Sequence, residues 1–274
     1  MATSRASHLQ RNWSWALWGV ALGSLLALLV HLPAQWLAQV LSKATHTQVQ
    51  LQEAQGSVWK GSGKLVLTGG EGSRDALALP GRIHWQTAIA FNGIQWPEFN
   101  LHLNAACCMT QALHMSLQAT SHLSNWQLRL NDHRSQWPAH LLSGLGAPWN
   151  TLQPEGTLVL ETKQLRVQWQ APQSWLEGGL TLTAENMSSK LSTLQPMGTY
   201  QVQLLGSASP NVMPALTLST QSGSLLLSGQ GQWLGSKLQF RGEASAVPEH
   251  AEALSNLLNI IGRRQGARSL LSLG

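Results

Sequence analysis

The stretch GQGQWLGSKLQFRGEASA, Gly229–Ala246, puts Gly229, Gly231 and Gly235 within seven residues. Glycines so close together can cradle a phosphate. That requires a strand before them and a helix N-terminus after them, so that amides and helix dipole meet the anion. Here Leu225–Leu227 precedes and Leu238–Phe240 follows, and both read as strand. No helical pattern starts before Pro248, and neither GxxxxGK[ST] nor GxGxxG is present. The glycines therefore read as parts of a hairpin with Gly235-Ser236 at its turn.

His102, Cys107, Cys108 and His114 supply the side chains of a zinc site. Their spacing is not that of a common finger, and neighbours on a strand point to opposite faces. They read as ordinary strand residues. A bond between Cys107 and Cys108 is awkward, because adjacent Cα atoms lie about 3.8 Å apart and disulfides favour about 4.4–6.8 Å. On a single strand over residues 99–109, Cys107 shares the apolar face with Phe99 and Leu103, and Cys108 points outward as a thiol. The 12 acids are scattered, and neither HExxH nor GxSxG occurs. No catalytic residue, metal, cofactor or small-molecule substrate is expected, and the chain does not read as an enzyme.

The elements that hold these residues are short strands. Apolar side chains recur at every second position in Ile83–Phe91, Phe99–Leu103, Leu113–Leu117 and Trp126–Leu130. The same holds for Leu158–Leu160, Leu165–Trp169, Leu180–Leu182, Tyr200–Leu204, Leu216–Leu218, Leu225–Leu227 and Leu238–Phe240, and earlier for Val49–Leu51 and Leu65–Leu67. The phase slips near Thr162–Gln164, where a turn or bulge is expected. Turn signals such as Gly61-Ser62-Gly63, Gly69-Gly70, Asn92-Gly93 and Ser209-Pro210-Asn211 separate the runs. Short connections imply antiparallel pairing. The fold class is mainly β, a strongly curved antiparallel sheet or partly open barrel, closed by a short amphipathic helix. Residues Glu249–Gly262 carry that helical pattern, after Pro248 and before a glycine stop.

Before the strands comes WSWALWGVALGSLLALLVHL, residues 13–32, with seven leucines and two valines. Twenty helical residues reach about 30 Å, the thickness of a bilayer core. Trp13, Trp15 and Trp18 before it and Trp36 after it form an aromatic belt around a span that includes Leu25 and Leu29. The stretch reads as an uncleaved signal anchor rather than a cleaved signal peptide. Arg5 and Arg11 precede it, which puts residues 1–12 in the cytoplasm and the rest across the membrane. The expected divisions are a tail (1–12), a transmembrane helix (13–32), a helical extension (33–45), a periplasmic β domain (46–248), and a terminal helix with a basic tail (249–274). Residues 34–262 hold 12 basic and 12 acidic side chains, so the net +5 sits at the ends. A neutral folded region argues against a nucleic-acid partner. Arg263, Arg264 and Arg268 read as cations at a helix end.

In this order the chain resembles the type II secretion system protein N family. The resemblance rests on the single span after a short basic tail, on GSVWKGSG (Gly56–Gly63), and on LSTLQPMGTYQVQL (Leu191–Leu204) with its Leu-x-Pro-x-Gly-x-Tyr pattern. It extends to LSGQGQW, LQFRGEASA and LLNIIGRRQGARSLLSLG at the C-terminus. It implies an accessory inner-membrane component whose periplasmic β domain contacts other secretion-platform proteins and membrane lipid, with no catalytic residues. It implies fold-signature roles for Trp59, Gly61, Pro196, Gly198, Tyr200, Trp233, Gly242, Gly262, Arg263 and Arg264. The family is also similar in style to AsmA-like proteins, which implies the alternative of a lipid-handling apolar groove.

Overall fold

A computed structural model describes residues 7–91, 96–120, 124–170, 173–209, 212–234 and 237–273, with residues 7–12, 14, 234 and 273 by backbone alone. Arg5 and the expected turns at Asn92-Gly93, Pro210-Asn211 and Gly235-Ser236 lie outside the described residues. The alternation resolves into one antiparallel sheet of sixteen strands. In chain order they are β1 (Val49–Gly56), β2 (Lys60–Thr68), β3 (Ala76–Ala78), β4 (Ile83–Ala90), β5 (Glu98–Ala105), β6 (Leu113–Ala119), β7 (Asn125–Leu130) and β8 (His133–Pro138). Then come β9 (Pro154–Gln170), β10 (Gln173–Ser189), β11 (Gly198–Leu205), β12 (Ala215–Gly223), β13 (Leu225–Leu234), β14 (Lys237–Ala246), β15 (Arg263–Gln265) and β16 (Arg268–Leu273). The sheet is not closed: β1 forms one edge and β15 the other.

Pairing carries the apolar positions across the sheet in register. Ile89 lies opposite Phe99, Phe99 opposite Leu117, and Leu117 opposite Leu128. Leu128 meets Val167, which meets Leu176, and further on Leu182 meets Val202 and Val202 meets Leu218. The other face carries uncharged polar groups that bond along and across strands, such as Gln203 Nε2 to Gln201 Oε1 at 2.9 Å. The expected phase slip is a bulge inside one long strand. β9 presents Leu158, Leu160 and Thr162 at even positions, then Leu165, Val167 and Trp169 at odd ones. Gln164, with φ 47°, is the extra residue that changes the phase.

The connections β1–β2, β4–β5, β6–β7, β9–β10, β11–β12 and β13–β14 leave the sheet on one side. The others leave on the opposite side, and the longer of them fold back over the apolar face. One of them, Pro248–Gly262, holds the α-helix Ser255–Ile261, whose Leu257 and Leu258 pack with Leu254 on Tyr200, Leu225 and Ala244. Another holds Leu141, which packs on Leu79, Ala105 and Cys108. Its segment, a 3-10 turn over Ala139–Leu145 and a helical turn over Trp149–Leu152, is tied into the sheet through β8, so no domain boundary falls there. The core therefore sits at the long-connection side. Near the hairpin tips, Phe91, Phe99, Trp169 and Leu205 stay exposed.

Three expectations change. The chain leaves β5 at Ala105 and turns, with the Cys108 and Met109 amides both donating to the Ala105 carbonyl. The turn ends strand alternation, so both sulfurs come to one side: Cys107 and Cys108 are bonded to each other, and Cys108 is buried rather than outward. His102 and His114 stack on the polar face, ring centroids 4.1 Å apart. The helix over 34–44 does not continue the first one; Pro33 separates them and lies in a bridge to Ser57. Arg263–Leu273 is not a tail. It is a β15–β16 hairpin paired to β14.

Leu258 is 1% exposed, and Leu258→Ala is expected to cost about 2–5 kcal/mol in denaturant unfolding. His133 is buried with Nε2 unpartnered, and burial first, then the nearby His114, hold its pKa below the usual 6.5. The unfolded chain then binds the proton more readily, so stability is complete above pH 6.5 and falls as pH drops through the window beneath it. In His133→Gln that part of the acid-side loss is expected to vanish from the pH dependence of unfolding.

Candidate anchoring and docking site

The first helix, α1, spans Ser7–Val30. Its last carbonyls have no partners within the helix. The turn between β1 and β2 supplies them. The Val58 amide donates to the Leu32 carbonyl at 2.9 Å, and the Trp59 indole donates to the Leu29 carbonyl at 2.9 Å. β4 holds the turn from its other side. The Thr87 amide donates to the Trp59 carbonyl (2.7 Å), the Thr87 hydroxyl to the Val58 carbonyl (3.0 Å), and the Trp85 indole to the Ser57 carbonyl (3.1 Å). Gly61 lies under the Trp85 ring, where a Cβ would also come within 2.5 Å of the Gln55 carbonyl oxygen. Gly56 opens the turn at φ 89°. GSVWKG is thus a clamp between helix end and sheet.

Beside the clamp, Glu53 pairs with Lys64 (2.7 Å) and Arg82 (3.2 Å). The Lys64 hydrogen bond leads in holding its carboxyl below the usual range, with Arg82 adding to it. The exposed pairs fix side-chain geometry more than stability.

Trp13, Trp15, Trp18, Leu25 and Leu29 are all exposed on α1, and Trp36 is exposed on the second helix, α2 (Ala34–Ala44). Among the described residues no helix is long and apolar enough to cross a membrane.

The other signature positions sit away from the clamp. Gln195–Pro196 is a cis peptide that leads into β11. Gly198 leaves room for the Tyr200 ring and the Ser222 carbonyl. Tyr200 is buried with its hydroxyl unpartnered, and burial pushes the phenol pKa far up. Gly229 and Gly242 face each other across β13 and β14 and make space for the Phe240 ring, and Gly231 does so for Leu216 and Leu238, so these glycines are packing devices. Trp233 pairs with Leu238 on the same face. Gly262 abuts the Leu270 carbonyl. Arg263 and Arg264 are exposed on the edge strand β15, and the Arg264 Nε donates to the Gly266 carbonyl. Among the described residues no group of His, Cys, Asp or Glu could hold a metal.

A family model for type II secretion system protein N matches residues 47–270, from β1 to within β16. The chain belongs to that family. No curated protein and no solved structure matches it significantly. As a protein N member it is an accessory component of type II secretion, and the family is not known for enzymatic activity. The match begins after α1, so the clamp partner Trp59 falls inside the family region and its acceptor Leu29 outside it.

Gly61→Ala is expected to cost about 1–3 kcal/mol by overpacking against Trp85. Trp59→Phe removes only the indole donor and should cost about 0.5–1.5 kcal/mol. Thermal unfolding of both variants checks the order.

Proposed function

We propose that this chain is a single-pass inner-membrane protein whose α1 crosses the bilayer and whose sheet, on the periplasmic side, docks on other proteins of the secretion platform. One observation carries the reading. α1 is a 24-residue helix with every described side chain from Trp15 to Val30 exposed, and its end is bonded to the sheet. The part of α1 beyond residue 12 rises about 27 Å, close to the thickness of a bilayer core. Leucines and valines exposed all round it find no cover in protein, and lipid supplies one. Residues 1–12 then stay cytoplasmic, and Trp13, Trp15, Trp18 and Trp36 lie near the two interfaces.

Docking falls to the polar face and the sheet edges. The face offers uncharged amides, hydroxyls and imidazoles, and β1 has a free side for strand addition. A second reading, lipid handling along the apolar face, is favoured by the half-buried Val202, Leu216 and Leu218, which the connections do not cover.

In-cell photocrosslinking separates the two. With probes at His84 and His114 on the polar face and at Met115 and Val202 on the apolar face, protein adducts from the first pair and silence from the second support docking. Phospholipid adducts at Met115 and Val202, with no protein adducts at His84 or His114, replace it with lipid handling.

A further inference from the structure

The register of the sheet fixes where its hairpin tips lie relative to α1. β4 pairs Gln86 with Lys60, beside the clamp, and then runs on to Ala90, about 13 Å farther at 3.3 Å per residue. It runs past Trp59, whose indole already lies against the last turn of α1. The β6–β7 and β9–β10 tips leave the sheet on this same side, because Ala119 pairs with Trp126 and Gln170 with both Asn125 and Gln173.

The residues that flank the β4–β5 and β9–β10 connections are apolar and exposed. Phe91 is 75% exposed, and Ile89, Trp96, Phe99 and Trp169 are exposed as well. They are also nearly free of charge. Between Ala88 and Asn100 the one ionisable residue is Glu98; between Leu117 and Gln127 it is His122; between Gln168 and Ser174 there is none. The first connection on the opposite side, by contrast, carries Glu71, Arg74, Asp75 and Arg82. Exposed aromatics with a single carboxylate among them, on the side of the sheet where the end of α1 is held, suit the water–lipid boundary, where indole and phenyl rings partition.

We infer that the strand ends beside the β4–β5 and β9–β10 connections, through Phe91, Trp96 and Trp169, insert into the outer surface of the phospholipid bilayer beside α1, as a second and independent membrane contact. The inference rests on α1 being the membrane anchor. It gives the protein two footholds, so the sheet is held upright on the membrane rather than swinging from one helix.

The test uses the full chain reconstituted in phosphatidylethanolamine–phosphatidylglycerol vesicles with spin-labelled acyl chains. Single thiols for an environment-sensitive fluorophore are placed by Phe91→Cys, by Leu25→Cys in α1, and by Ser222→Cys at the opposite end of the sheet. The native pair stays out of the labelling because Cys107 and Cys108 are bonded to each other. The expected result is loss of most emission at Phe91 and at Leu25, with Ser222 unquenched. Quenching at Leu25 with Phe91 as bright as Ser222 overturns the tip contact and leaves the anchor standing. No quenching at Leu25 or Phe91 removes both, and equal quenching at Phe91 and Ser222 shows adsorption without tip insertion and also overturns it.

Discussion

The hydrogen bonds from Val58 and Trp59 to the carbonyls of Leu32 and Leu29 orient everything else. A helix end needs acceptor partners, and a sheet edge needs to be held. One short turn meets both needs. Because β4 grips the same turn through Thr87 and Trp85, the clamp passes into the sheet by backbone pairing, not by a flexible joint.

The second constraint is the apolar face. A sheet this wide cannot cover itself without closing, and this one does not close. The long connections cover one end, where Leu254, Leu257 and Leu258 reach Tyr200 and Ala244. The cover thins toward the tips. Glycines at 198, 229 and 242 leave room for the Tyr200 and Phe240 rings against the strands.

Much of this fold was legible in the sequence because period-2 alternation is strong when one face is apolar and the other uncharged. Even the bulge at Gln164 showed as a phase slip. Three features escaped for physical reasons. The Ala106–Thr110 turn contains no glycine or proline, so the strand pattern seemed to run on through Cys107 and Cys108. The β15–β16 hairpin has one strand of three residues, too short to show alternation, and its arginines suggested a solvated tail. The clamp joins Trp59 to Leu29 across thirty residues, and no local pattern reports such a contact. The family motif GSVWKGSG marked the place without revealing the partner.

Amide hydrogen exchange on the full chain in lipid nanodiscs tests the clamp most directly, read at Val58 and Thr87. Their donors are bonded to Leu32 and Trp59. The account predicts exchange as slow as that of the central strands β9 and β10, since the turn then opens only with the sheet. Exchange at the rate of an exposed turn contradicts it, because the helix and the sheet would then move independently.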